Sequence, residues 1–261
     1  DRTGEYAALW NEFLTALPSL VTTSRNPDIW LGAFSSILER FTWCVPSYTQ
    51  SRHADISLFD HAFTTAGIAC SLYQYHVQTQ SWKEQSLNDT TTKRLRIVAG
   101  DVSGIQRFIQ NIPTRHQKDF HLDLRARSFV IGLLADVVLH QVLQAVGLPR
   151  VCLWMRYGGK FTILAPNTPD LPAKIGSIQR SMDQWLLDAL FGELRLHLDC
   201  SLEVALEDFN RPKFPVLLSS IAAHLAQSKK RAFSSVLTKD GAWDANAFIN
   251  SIKADEHTPF E

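Results

Sequence analysis

A carboxylate and a hydroxyl stand close together between two glycines. The segment reads Gly100-Asp101-Val102-Ser103-Gly104, with Ile105, Gln106 and Arg107 after it. An alternating apolar run over residues 95 to 101 predicts a strand before this turn, and a helix is predicted from Gly104. Because glycine has no side chain, a ligand can approach the backbone closely at such a strand end. The pattern indicates a nucleotide-binding turn that includes Asp101, Ser103, Gly104 and Gln106.

The same residues also allow a purely structural interpretation. In that interpretation Ser103 caps the helix through its hydroxyl, and Asp101 hydrogen-bonds the backbone, as serine and aspartate commonly do in turns. The residues of the turn leave both interpretations open.

A second glycine pair, Gly158 and Gly159, lies in a predicted hairpin between strands at residues 151 to 155 and 161 to 165. Palm domains that join nucleotides hold two metal ions with carboxylates from the first strand and from such a hairpin. Asp101 occupies the first position, but Lys160 occupies the hairpin position, where an ammonium group repels a divalent cation. We therefore expect this pocket to bind a nucleotide but not to catalyse phosphoryl transfer alone.

Two further clusters have weaker signals. Arg125 and Arg127 open a predicted long helix after the loop at residues 111 to 122, and they could bind a phosphate backbone or form a solvated helix start. Asp60 and His61, near His53, are candidate metal ligands, with a buried Asp-His hydrogen bond between two helices as the structural alternative.

The coarse order of elements predicts an α+β protein. A helical unit over residues 1–93 precedes a β-α-β-β-α-β domain over residues 94–208, and helices continue over residues 209–261. The middle order is that of a ferredoxin-like domain. Residues 79 to 94 are predicted as a linker, and a polar, basic run of Ser228, Lys229, Lys230 and Arg231 separates the last two helices.

Composition limits the class of protein. The chain of 261 residues has 26 basic and 26 acidic residues, so no global basic field favours nonspecific nucleic-acid binding. The four cysteines are far apart, which argues against a zinc knuckle or a disulfide framework. We expect no membrane span and no secretory signal, a cytoplasmic location, and a chain that is a piece of a longer polypeptide.

Four motifs in one order resemble the large, polymerase-like subunit of type III CRISPR-Cas effector complexes, in its Csm branch. They are Ile56 to His61, Gly100 to Gln106, Leu124 to Phe129, and Gly158 to Phe161. The resemblance implies the end of a His-Asp nuclease domain followed by the first of two palm domains. It also implies ATP as a ligand, held between the palms and converted to cyclic oligoadenylates, with magnesium or manganese on a second palm that this chain lacks. The implied partners are a small subunit, a repeat-tag-binding subunit, guide RNA and target RNA, with no membrane.

Carried over by resemblance, Asp101, Ser103, Gly104 and Gln106 form the ATP-facing turn. Gly158, Gly159 and Lys160 form a degenerate hairpin. The family's upstream His-Asp pair, its zinc cysteines and its Gly-Gly-Asp-Asp hairpin do not occur in this sequence, so this chain alone should be inactive. The alternative hypothesis is an inactive palm that scaffolds the complex and contacts RNA through Arg125 and Arg127. A free-standing cyclase-like regulator is contradicted by Lys160.

Overall fold

The computed structural model describes residues 2–22, 26–48, 55–110, 120–247 and 249. The chain divides into two compact units. One comprises residues 1–70 with Pro149–Cys152, and the other comprises Ser71–Leu148 with residues 153–261. The predicted domain boundaries at residues 93 and 208 stay predictions.

The first unit is helical. It contains α1 (Arg2–Ala16), a 3₁₀ turn (Leu17–Thr22), α2 (Pro27–Thr42) and the start of α3 (Leu58–Thr79). The side chain of Asn26 accepts a hydrogen bond from the Asp28 amide, and Pro27 occupies the first turn of α2, so a cap and a preset φ angle begin this helix. Phe13 and buried Phe41 pack edge to face, 5.9 Å apart, in the core between α1 and α2.

A four-stranded antiparallel sheet forms the centre of the second unit. Its strands are β1 (Leu95–Ser103), β2 (Leu153–Tyr157), β3 (Lys160–Pro166) and β4 (Arg195–Val204). Their spatial order is β2-β3-β1-β4, and β1 pairs antiparallel with both β3 and β4. The predicted α+β class is confirmed.

Helices pack against this sheet. The second unit contains α4 (Glu84–Asn88), α5 (Ile105–Gln110), α6 (Phe120–Val146), α7 (Leu171–Leu190), α8 (Phe214–Lys229) and α9 (Ser234–Leu237). A small hairpin of β5 (Thr238–Lys239) and β6 (Ala242–Trp243) follows α9. Helix α6 contacts β1 and β3, α7 contacts β4, and α8 contacts β4 and β1. The core consists of apolar side chains from strands and helices, among them Ile97, Val98, Val138, Val142, Phe161, Ile163 and Leu186.

Several element boundaries differ from the sequence predictions. Strand β1 extends through Ser103, so the motif residues Asp101 and Ser103 belong to the strand itself. The predicted linker contains α4, and α6 begins inside the predicted loop, whose residues 111–119 lie outside the described residues. Of residues 209–261, over which the sequence predicts helices, 248 and 250–261 lie outside the described residues.

Helix α6 bears on the expectation of no membrane span. The stretch His121–Val146 is long and apolar enough to cross a membrane by length and composition alone, although no such segment was expected. One face of α6 packs within the second unit, where Val138 and Val142 are fully buried. A core helix of this kind passes the same test of length and composition.

Candidate nucleotide site

The predicted site residues surround one cavity of about 630 Å³ in the second unit. Its lining comprises Asp101, Val102, Ser103, Gly104, Ile105, Gln106, Arg107, Tyr157, Gly158, Gly159, Lys160 and Lys229. The two motifs of the sequence, 52 residues or more apart along the chain, therefore meet because β1 and β3 are neighbours in the sheet.

Backbone hydrogen bonds fix the hairpin beside the end of β1. The amide of Val102 donates to the carbonyl of Gly159 (2.9 Å), and the amide of Lys160 donates to the carbonyl of Gly158 (2.8 Å). Gly158 has φ +53° and Gly104 has φ +88°, a region of backbone conformation that favours glycine. The glycines thus turn the chain sharply on both sides of the cavity.

Asp101 is a buried carboxylate with two ammonium neighbours. Its side chain is 3% exposed, and Oδ2 lies 2.5 Å from Lys229 Nζ and 3.9 Å from Lys160 Nζ. The contact with Lys229 is an ion pair that lacks hydrogen-bond alignment. The carboxylate is thus neutralised from within the protein, and the structural interpretation in which it bonds the backbone is wrong.

Ser103 contacts a histidine of the neighbouring strand. Its Oγ lies 2.9 Å from Nε2 of His197, which is buried at 3% exposure. Burial lowers the pKa of His197; Asp101 opposes this, and Lys229 and Arg195 reinforce it. The hydroxyl is therefore engaged with a buried imidazole, whereas the structural interpretation assigned it to a helix cap.

The remaining predicted residues have simpler positions. Gln106 is exposed on α5 at the cavity wall. Lys160 is 43% exposed, and its Nζ lies 5.7 Å from the centre of the Tyr157 ring. The polar side chains that line the cavity are therefore one carboxylate, two hydroxyl groups, one amide, the guanidinium group of Arg107 and two ammonium groups.

The two arginines of α6 differ in their contacts. Arg127 donates to the carbonyl of Phe108 (2.5 Å), and its guanidinium carbon lies 5.0 Å from the centre of that ring. Arg125 is exposed. Arg127 thus ties α6 to α5, while Arg125 faces solvent, and their contact with nucleic acid stays a prediction.

Asp60 and His61 lie at the start of α3 and are both exposed. The Asp60 amide donates to Ser57 Oγ (2.9 Å), and Ser57 Oγ in turn donates to Asp60 Oδ2 (2.8 Å). The structural alternative of a buried Asp-His bond is therefore wrong, since Asp60 takes part in capping a helix. Within the described ranges, which exclude His53, no three His, Cys, Asp or Glu residues are grouped to hold a metal ion.

Sequence reasoning missed two residues of the site. Lys229 belongs to the basic run after the predicted palm. The sequence shows this lysine but does not show that it lines the cavity. His197 lies in the alternating pattern of β4, and the register that places it opposite Asp101 follows only from the sheet pairing.

An α+β unit with a glycine-lined cavity at the end of its central strand is the class of protein that the fold and the site define. The chain belongs to the family described as Csm1 subunit domain B, whose family model matches residues 94–243. The resemblance to the large subunit of type III CRISPR-Cas complexes, in its Csm branch, is thereby confirmed.

Relatives in two organisms are described as the CRISPR system single-strand-specific deoxyribonuclease Cas10/Csm1 (subtype III-A). The protein of Mycobacterium tuberculosis H37Rv is 32% identical over 190 residues, which cover 70% of this chain and 23% of that protein. The protein of Methanocaldococcus jannaschii is 30% identical over 162 residues, which cover 53% of this chain and 20% of that protein. The chain thus spans about a quarter or less of the length of these relatives.

Solved structures of Csm1-Csm4 cassettes share the fold. The cassette in complex with one ATP has a TM-score of 0.73 and 25% identity, covering 93% of this chain and 32% of that chain. The cassette in complex with cA3 has a TM-score of 0.73 and 26% identity, covering 88% of this chain and 30% of that chain.

Proposed function

We propose that this chain is the first palm region of a type III-A CRISPR large subunit, and that its cavity binds ATP during cyclic oligoadenylate synthesis. A second palm outside this chain would provide the rest of the ATP site and its metals. The observation that carries the proposal is the cavity itself, in which both predicted glycine motifs meet two ammonium groups.

The sheet supports the assignment of a ferredoxin-like palm. Read from the other edge, the strand order is β4-β1-β3-β2, with every neighbouring pair antiparallel. A β-α-β-β-α-β chain of this order is the ferredoxin-like arrangement. Because unrelated functions share this fold, the proposal depends on the site and on the relatives.

The chemistry of the cavity supports a nucleotide ligand. An added Cβ at Gly158 would meet no atom within 4 Å, so the backbone of the hairpin is open to a sugar or a phosphate there. At Gly104 and Gly159 the missing side chain instead makes room for Glu193 and for Val102 and Ile105. Lys160 and Lys229 provide positive charge for phosphate groups. Structures of the related Csm1-Csm4 cassette include complexes with ATP and with cA3.

The residues present do not fit a divalent metal ion. Asp101 is the carboxylate at the cavity, and it is already paired with Lys229 and close to Lys160. Two ammonium groups beside a single carboxylate repel a divalent cation. We therefore expect magnesium or manganese on the second palm, and this chain contributes nucleotide binding and no metal chemistry.

Scaffolding of the complex is the second candidate function, and the outer face of α6 favours it. Leu122, Phe129, Leu133 and Val137 are exposed on this helix at spacings of seven and four residues. Such an apolar stripe fits contact with another subunit or domain. In this proposal the partners are the small subunit, the repeat-tag-binding subunit, and guide and target RNA, all in the cytoplasm.

Synthesis of oligoadenylate from labelled ATP tests the two functions. The complex is reconstituted with the full-length subunit and target RNA, and Ser103→Ala and Gln106→Ala are compared with Ser177→Ala, an exposed control on α7. Loss of a hydrogen bond to a charged ligand should lower product formation about tenfold in Ser103→Ala or Gln106→Ala, and the control should match the unmodified protein. Equal product from all variants would remove these residues from the ATP site, and no product from any protein would favour the scaffold.

A further inference from the structure

The last residue of α8 reaches the cavity from outside both sequence motifs. Lys229 belongs to the basic run Ser228 to Arg231, to which the motifs assign no role. Its neighbour Ser228 donates from Oγ to the carbonyl of Leu198 in β4 (3.4 Å), and α8 packs along β4 and β1. This packing places Lys229 beside the end of β1.

The charged side chains beside the end of β1 differ in burial. The Asp101 side chain is 3% exposed, whereas the side chains of Lys160 and Lys229 are 43% and 40% exposed. The carboxylate is thus more deeply buried than the two ammonium groups, and all three residues line the cavity. With Arg107 also in the lining, one negative charge against three positive charges leaves a net positive charge at the cavity wall.

Each ammonium group also has N–H donors that its contact with Asp101 does not use. A lysine ammonium has three N–H donors, and one contact with a carboxylate uses only part of that capacity. A half-exposed ammonium whose position is fixed by a buried counterion is suited to bind phosphate oxygens, because less side-chain freedom is lost on binding.

We propose that Lys229, together with Lys160, binds phosphate groups of the nucleotide, and that Asp101 is a positioning residue which holds both lysines. This inference rests on the proposed function and adds a residue and an orientation to it. The phosphates lie toward the end of α8, and the nucleoside lies toward the turn at Ser103 and Gly104. The same chemistry fits a triphosphate or the phosphodiesters of an oligoadenylate.

The test is calorimetric titration of the full-length protein that carries this chain with ATP, with the linear trimer pppApApA, and with adenosine. Lys229→Met should lower the affinity for ATP by about tenfold to a hundredfold, while adenosine affinity changes less than twofold. Lys230→Met is the matched control, because Lys230 is exposed and next in sequence but lies outside the cavity lining given by the described residues.

A second variant guards against misfolding. Lys229→Met leaves a buried carboxylate without its closest partner, which can destabilise the protein. The double variant Asp101→Asn, Lys229→Met removes both charges, and it should show the same selective loss of ATP affinity. If the variants instead lose affinity for pppApApA and keep the affinity of the unmodified protein for ATP, the phosphate site belongs to the oligoadenylate.

The outcomes separate this inference from the proposed function. If the unmodified protein binds ATP but Lys229→Met keeps the same preference for ATP and for the trimer over adenosine, the role of Lys229 is refuted and the nucleotide site stands. An equal loss in Lys230→Met would show a general effect of charge and would also overturn the inference. If neither ATP nor adenosine binds the unmodified protein, the proposed function fails.

Discussion

Gly104 lies at the junction of β1 and α5, and its replacement by alanine tests how this turn is built. Its φ angle is +88°, and an added Cβ would lie 2.2 Å from the carbonyl oxygen of Glu193. Both features oppose a side chain. The backbone conformation is unfavourable for alanine, and the neighbour is a main-chain atom that cannot rotate away.

Two control glycines separate these costs. Gly147 has φ +73° and no heavy atom within 4 Å of an added Cβ, so Gly147→Ala should cost only the conformational penalty of about 1–2 kcal/mol. Gly104→Ala adds an overpacking cost of about 1–3 kcal/mol, for a total of about 2–5 kcal/mol. Gly132 lies within α6 with open space around it, so Gly132→Ala should stabilise by about 0.5–1 kcal/mol.

Native-state hydrogen exchange of the β1 and β4 amides in the full-length protein measures these changes. The expected order of stability is Gly132→Ala above the unmodified protein, then Gly147→Ala, then Gly104→Ala. Equal losses for Gly104→Ala and Gly147→Ala would refute the close approach of Glu193 to the turn. A stabilising Gly104→Ala would refute the conformation of the turn as well.

Two further predictions concern pH. Burial raises the pKa of Asp183 from its ordinary 3.8, and hydrogen bonds from Ser235 and Gln179 oppose this shift. Because the folded state binds this proton more tightly than the unfolded state, its protonation stabilises the fold, and this stabilisation is lost as pH rises through the raised pKa. Urea midpoints at pH 4 and pH 8 should therefore differ less in Asp183→Asn than in the unmodified protein, and equal differences in the two proteins would contradict this. Burial lowers the pKa of His197, so the neutral imidazole stabilises the folded state. This stabilisation is present above the ordinary value of 6.5 and is lost as pH falls toward the lowered pKa. His197→Asn should remove the corresponding fall in urea midpoint between pH 7 and pH 5, and an unchanged fall would assign it to other groups.

Local patterns predicted much of the fold. Alternation, helical periodicity and glycine turns predicted β1 to β4 and the helices between them, because each of these signals depends on neighbours within one element. These local signals failed for elements whose formation depends on contacts with the rest of the fold. Short α4 lies in a polar segment that has no apolar periodicity, and the β5–β6 hairpin joins strands of two residues each.

The candidate site shows the same limit. The glycine motifs predicted which residues surround the cavity, since their types and spacing are visible in the sequence. The partners of Asp101 and Ser103 were not predictable, because Lys229 and His197 reach them through helix packing and strand register. The sequence therefore indicated a turn suited to a nucleotide, while the charge arrangement behind it required the fold.

The most direct measurement is a structure of the full-length protein with a non-hydrolysable ATP analogue bound. We expect density for the nucleotide in the cavity between residues 101–107 and 157–160, with phosphate oxygens within hydrogen-bond distance of Lys229 Nζ. An analogue bound only elsewhere, with this cavity empty and the Asp101–Lys229 pair unchanged, would contradict ATP binding at this cavity.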